Sequence, residues 1–103
     1  MSRIRTEEVD VLLNVFAGVS DPDDIYKLFE DLFTVREIKD TSQRLSVARM
    51  LKEGKSYAFI EQETGASATT IARVSKALNY GAGGYEVAFK ALENIAAEQG
   101  EIN

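Results

Sequence analysis

The chain has 103 residues, 45% apolar and 28% charged, the proportions of one soluble globular domain. It contains neither cysteine nor histidine, which excludes disulfide scaffolds, thiolate or imidazole metal sites, and every nucleophile–histidine catalytic arrangement. The net charge of −5 is spread unevenly: residues 34–80 hold eight basic against five acidic side chains, a balance of +3, and the remainder carries −8. That asymmetry suits one face for an anionic partner, although ordinary solvated helix faces produce it nearly as well.

Proline occurs once and strict apolar–polar alternation never persists, so the sequence reads as helix nearly throughout. The first helix is predicted from about Thr6 to Ala17, where Val9, Leu12, Leu13 and Phe16 form one apolar stripe. Asp21 is a good N-cap for a second helix, with Pro22 at the first helical position and Ile25, Leu28, Phe29 and Leu32 repeating the spacing. Thr34 and Glu37 fit a capping box that opens a third helix. It continues to Glu53, stops at Gly54, and faces inward through Ile38, Leu45, Ala48 and Leu51.

Ser56 caps a short fourth helix with Tyr57, Phe59 and Ile60 as its apolar positions, ending at Thr64-Gly65. Ser67 caps a fifth through about Leu78, with Ile71, Val74 and Leu78 inward. Residues Asn79 to Gly84 are predicted as a turn, since they include three glycines and an alanine. The last helix uses Tyr85, Ala88, Phe89, Leu92 and Ile95 or Ala96, and its polar end from Glu98 to Asn103 is expected to fray. The whole, 1–103, reads as a single domain. Nothing approaches the ~20 apolar residues that span a bilayer, and the N-terminus lacks a signal-peptide core, so no membrane partner and a cytoplasmic location are expected. Short helices with one apolar stripe each leave the first two poorly covered. Pairing with a second copy buries them, and a compact six-helix monomer is the alternative.

The segment at about 56–79 carries the most information. A short helix, a glycine-centred turn and a serine-capped second helix form the spacing of a helix-turn-helix. Gly65 permits the turn, Ala66 is small enough to lie between the helices, and Ile60, Ile71 and Val74 pack them together. Ala68, Thr69, Thr70 and Arg73 then face outward from the start of the second helix. Small residues there allow close approach to base edges in a major groove, while Thr hydroxyls and Arg73 serve bases or phosphates. With Ser67 they form the predicted contact surface for double-stranded DNA, and Lys55, Ser56 and Lys76 are candidate phosphate contacts. Arg3 and Arg5 read either as a phosphate-binding arm or as a solvated tail.

From Leu32 to Leu78 the sequence resembles the tryptophan repressor family, through Leu32-Phe33-Thr34, Arg44, Leu51-Lys52-Glu53-Gly54 and the run Gly65 to Arg73. The resemblance is closest to the family's smaller relatives, whose regulated target is generally unknown. It implies an all-α, six-helix fold, an intertwined homodimer, and two readers meeting successive major grooves about one helical turn apart. It further implies a corepressor pocket clamped by Arg44 and Arg73 with Thr34 in its wall. Val74 departs from the family pattern, which has glycine where the indole lies against backbone, and Ala77 replaces a serine facing the ligand. Tryptophan is therefore not the expected ligand. Either a smaller anion binds, or Val74 fills the pocket and the readers stand permanently in place.

The leading expectation is a dimeric transcriptional regulator, most plausibly a repressor, with no cofactor beyond a small anionic effector of unknown identity. A helical protein-interaction module without specific DNA binding is the alternative. An enzyme is not expected, because Asp21, Asp23 and Asp24 are better explained as a helix start than as a metal or acid–base site.

Overall fold

The computed structural model describes residues 5–102, which places Arg3 and Asn103 outside the described residues. Six helices follow in chain order: α1 (Glu7–Ala17), α2 (Pro22–Leu32), α3 (Val35–Lys52), α4 (Tyr57–Thr64), α5 (Ala68–Tyr80) and α6 (Gly84–Ile102). No strand occurs among the described residues, so the fold is all-α. They group into two compact units whose boundary falls within α3, one reaching Ile38 and the other beginning at Lys39.

The first unit is built from local chemistry. Thr6 caps α1 by accepting from the Val9 amide at 3.3 Å, and Asp21 caps α2 by accepting from the Asp23 amide at 2.9 Å. Arg5, the described half of the basic N-terminal pair, is tied to the start of α1 by a 2.7 Å bond to Asp10. Phe16, Phe29 and Phe33 meet with ring centroids 5.4 to 6.3 Å apart, the last two edge to face. Yet α1 and α2 contain no buried residue, and Val11, Leu13, Tyr26 and Leu32 are exposed. At the entrance to α3 the Glu37 carboxylate accepts from the Thr34 amide at 2.9 Å, and the Thr34 hydroxyl accepts from the Glu37 amide at 3.1 Å. This is the reciprocal capping box read from the sequence. The Thr34 backbone N–H, seconded by its hydroxyl, holds the Glu37 carboxyl below its ordinary value.

The second unit owns the core. Val47 and Ala48 of α3, Ile60 of α4, Ala66 of the turn, Ile71 and Val74 of α5, and Phe89 of α6 are all buried. Met50, Leu51, Leu78, Tyr85 and Leu92 pack against them half-buried. Four helices thus share one apolar centre, and α3 supplies two neighbouring positions to it. Val47 has no exposed surface, whereas Ile38 and Leu45 are only half-buried. The inner face of α3 is broader than one stripe because several helices bury against it.

Three boundaries differ from the expectation. The helix α5 runs on to Tyr80, two residues past Leu78, with the Asn79 side-chain amide donating to the Ser75 carbonyl at 3.0 Å. It stops where the Gly81 amide donates to the Ala77 carbonyl at 2.8 Å, a place where any side chain would strike that carbonyl. The helix α3 ends at Lys52, one residue short of Glu53, and Gly84 already belongs to α6, which is helical to Ile102. Ile95 and Ala96 are exposed, so this end rests on the helix propensity of Ala, Glu and Gln rather than on burial.

Candidate functional site

The α4–turn–α5 hairpin is assembled from short-range bonds around one left-handed residue. Ser56 caps α4 by accepting from the Phe59 amide at 3.1 Å. Gly65 closes α4 with φ +74°, its amide donating to the Glu61 carbonyl at 2.9 Å. Nothing stands within 4 Å of where a side chain at Gly65 would project, so the demand for glycine there is conformational, not steric. Thr64 then locks the turn from both sides. Its hydroxyl donates to the Ile60 carbonyl at 2.6 Å and accepts from the Ala66 amide at 3.1 Å. Its own carbonyl accepts from the Gln43 side chain at 3.1 Å, which ties the turn to α3. Gln43 and Thr64 were not legible as positioning residues, because their bond joins positions 21 apart in the chain.

On that scaffold Ser67 caps α5, its hydroxyl accepting from the Thr70 amide and donating to the Thr70 hydroxyl, both at 3.1 Å. Ile71 and Val74 turn into the core. Ala68, Thr69 and Arg73 are left exposed and Thr70 half-buried, so the first turns of α5 offer small hydroxyl-bearing residues to solvent beside a guanidinium group. Lys76 is exposed one turn further on. Lys55 stands exposed just ahead of the α4 cap, its ammonium 5.4 Å from the centre of the Phe59 ring. A helix N-terminus of this kind, with free amides and no acid in its first turn, attracts anions.

A pocket of about 250 Å³ lies beside α5, lined by Arg44, Thr70, Arg73, Val74, Ala77 and Tyr85. The two arginines read from the sequence are therefore brought to one cavity, with no carboxylate in its lining. The Arg44 guanidinium donates to the Thr41 hydroxyl at 3.2 Å. Val74 lines the pocket while the residue is 2% exposed and packed into the core. Thr34, the third residue of the expected pocket, belongs to the first unit, where it caps α3. Among the described residues no helix is long and apolar enough to cross a membrane.

Comparison with known proteins agrees with this geometry. Residues 7–93 match the model of the Trp repressor protein family. The uncharacterized protein YerC of Bacillus subtilis (strain 168) is 44% identical over 98 residues, covering 95% of this chain and 94% of its own. A TrpR-like protein from Eubacterium eligens superimposes with a TM-score of 0.84 at 42% identity, over 88% of this chain and 94% of the other. A candidate Trp repressor from Staphylococcus aureus does so with a TM-score of 0.83 at 40% identity, over 88% and 91% of the two chains. With the family model spanning most of its length and relatives this similar across nearly all of theirs, the chain belongs to the Trp repressor family.

Proposed function

We propose that the protein is a homodimeric, sequence-specific DNA-binding repressor that works through the α4–α5 reader without tryptophan. The observation that carries this reading is the exposed first half of α5. Ser67, Ala68, Thr69 and Arg73 are exposed and Thr70 half-buried, following a turn fixed by Gly65, Thr64 and Ala66. Bulky side chains would hold the helix away from base edges; alanine and threonine allow approach, and threonine methyls match thymine methyls. Arg73 serves guanine or phosphate, while Lys55, Ser56 and Lys76 suit phosphates on either side. Membership of a repressor family supports the role, and the uncovered apolar side chains of α1 and α2 support a second copy. This is a regulator acting on DNA in the cytoplasm rather than an enzyme.

Val74 supports independence from tryptophan. A branched side chain that is part of the core and part of the pocket lining cannot be cleared for a flat ring without opening a cavity. Arg44, Arg73 and Val74 are accordingly read as a pocket that Val74 occupies in part, and Thr34 as the residue that caps α3.

Selection of bound duplexes from a random pool by the purified protein, with and without tryptophan, tests both halves. The expected result is an enriched palindrome with half-sites about one helical turn apart, identical in the two conditions. Enrichment only with tryptophan overturns the role given to Val74. No enrichment, with no salt-dependent binding to any duplex, overturns the DNA reading.

A further inference from the structure

The last turn of α5 carries a feature that base reading by its first turn does not use. Arg73, Lys76, Ala77 and Tyr80 recur at i, i+3, i+4 and i+7, so they share one edge of the helix. With Gly81 they line an open cleft of about 340 Å³ that contains no carboxylate. Tyr80 is 83% exposed, so burial does not explain an aromatic residue there. The helix is nonetheless extended to include it, by the Asn79 bond to Ser75 and by the stop at Gly81.

Length gives this edge its reach when the α4–α5 hairpin is engaged. The 13 residues of α5 span about 20 Å at 1.5 Å per residue, whereas the major groove is about 12 Å wide. With its first turns in the groove and its axis running across it, α5 is long enough to bring its last turn to a sugar–phosphate strand. From this placement we infer that Arg73, Lys76 and Tyr80 form a phosphodiester-binding edge, in which the Tyr80 phenol donates to a backbone phosphate flanked by the two cations. The inference rests on the DNA reading proposed above and extends it to a residue outside the helix-turn-helix pattern. Tyrosine hydroxyls are ordinary phosphate donors, and a phosphate contact fixes orientation on the duplex without reading sequence.

The two kinds of contact leave different signatures. Loss of a cation removes a counterion-releasing contact, whereas loss of a neutral phenol does not. The full-length protein, Tyr80→Phe and Lys76→Gln are titrated against the selected duplex and a scrambled one over a range of salt, with sedimentation to confirm the assembly state. Tyr80→Phe is expected to bind both duplexes about five-fold more weakly per half-site, with an unchanged salt slope. Lys76→Gln is expected to weaken both and reduce the slope by about one per protomer. The inference is overturned if Tyr80→Phe equals the parent on both duplexes while the parent binds, if it weakens only the selected duplex, or if it changes the assembly state. A parent protein that binds neither duplex at low salt overturns the DNA reading, and this edge falls with it.

Discussion

The two units of the chain solve the problem of stability in opposite ways. The second, from Lys39 onward, gathers Val47, Ile60, Ile71 and Val74 into a centre with almost no exposed surface. The first, ending at Ile38, has sound caps and a three-phenylalanine cluster but no buried residue in α1 or α2. Capping and ring contacts each contribute about 1 kcal/mol, enough to define where helices begin but not to hold them together in water. Burial of a single large apolar side chain contributes about 1.5 to 3 kcal/mol. The α4–α5 hairpin therefore rests on a core of its own, and the N-terminal helices present exposed apolar side chains.

The sharpest way to test this contrast is to truncate one residue in each unit. Ile71→Ala removes a fully buried side chain from the junction of α5 with the core and should cost about 3 to 4 kcal/mol in a denaturant titration. A cost under about 1 kcal/mol would mean that the α4–α5 hairpin does not depend on that centre. Leu13→Ala, at a residue 45% exposed in the single chain, should cost about 0.5 kcal/mol or less if the unit stands uncovered. If a second copy covers it, as proposed, the loss rises to about 2 kcal/mol and the midpoint depends on protein concentration. A small cost independent of concentration would break the dimer reading while leaving the second unit's account intact.

Local chemistry was the legible part of this molecule. Asp21, Thr34 with Glu37, Ser56 and Ser67 each cap the helix they were expected to cap, because a cap is decided within three residues of chain. The glycine-centred turn was legible for the same reason. What the sequence did not disclose needed tertiary context. Val47 lies off the single apolar stripe that periodicity marks on α3, because a helix shared by several neighbours buries a wider arc. The bond from Gln43 to Thr64 is a long-range pairing with no local signal. Tyr80 was assigned to a glycine-rich turn because the pattern of small residues outweighed a helix stop set by one close approach, that of Gly81 to Ala77. Of the site, the outward set on α5 was legible from periodicity, and Arg44 with Arg73 from the family pattern; the double role of Val74 required the packed core.

A smaller effect isolates the turn from the core. Gly65→Ala adds a methyl group into open space but must hold φ near +74°, so its cost is conformational and should be about 1 to 2 kcal/mol. Gly65→Asn should recover part of it, since asparagine tolerates the left-handed region better than alanine does. Equal costs for the two substitutions would show that something other than backbone conformation selects glycine there, and the account of the turn would fail.

The smallest effect is expected at the capping box, and it carries a sign. The Thr34 amide and hydroxyl hold the Glu37 carboxyl below its ordinary value, so the charged form favours the folded chain. A carboxyl lowered on folding contributes stability above its unfolded value and loses that contribution as the pH falls through its folded value. The group is fully exposed, so solvent screens the interaction and the gain is slight. Glu37→Ala should therefore lower the unfolding midpoint a little at neutral pH, and the gap to the parent should narrow once the pH drops into and below the ordinary carboxylate range. A gap that persists unchanged into acid would mean that Glu37 acts through its helix propensity alone. The start of α3 would then be held by the Thr34 hydroxyl without the carboxylate's help.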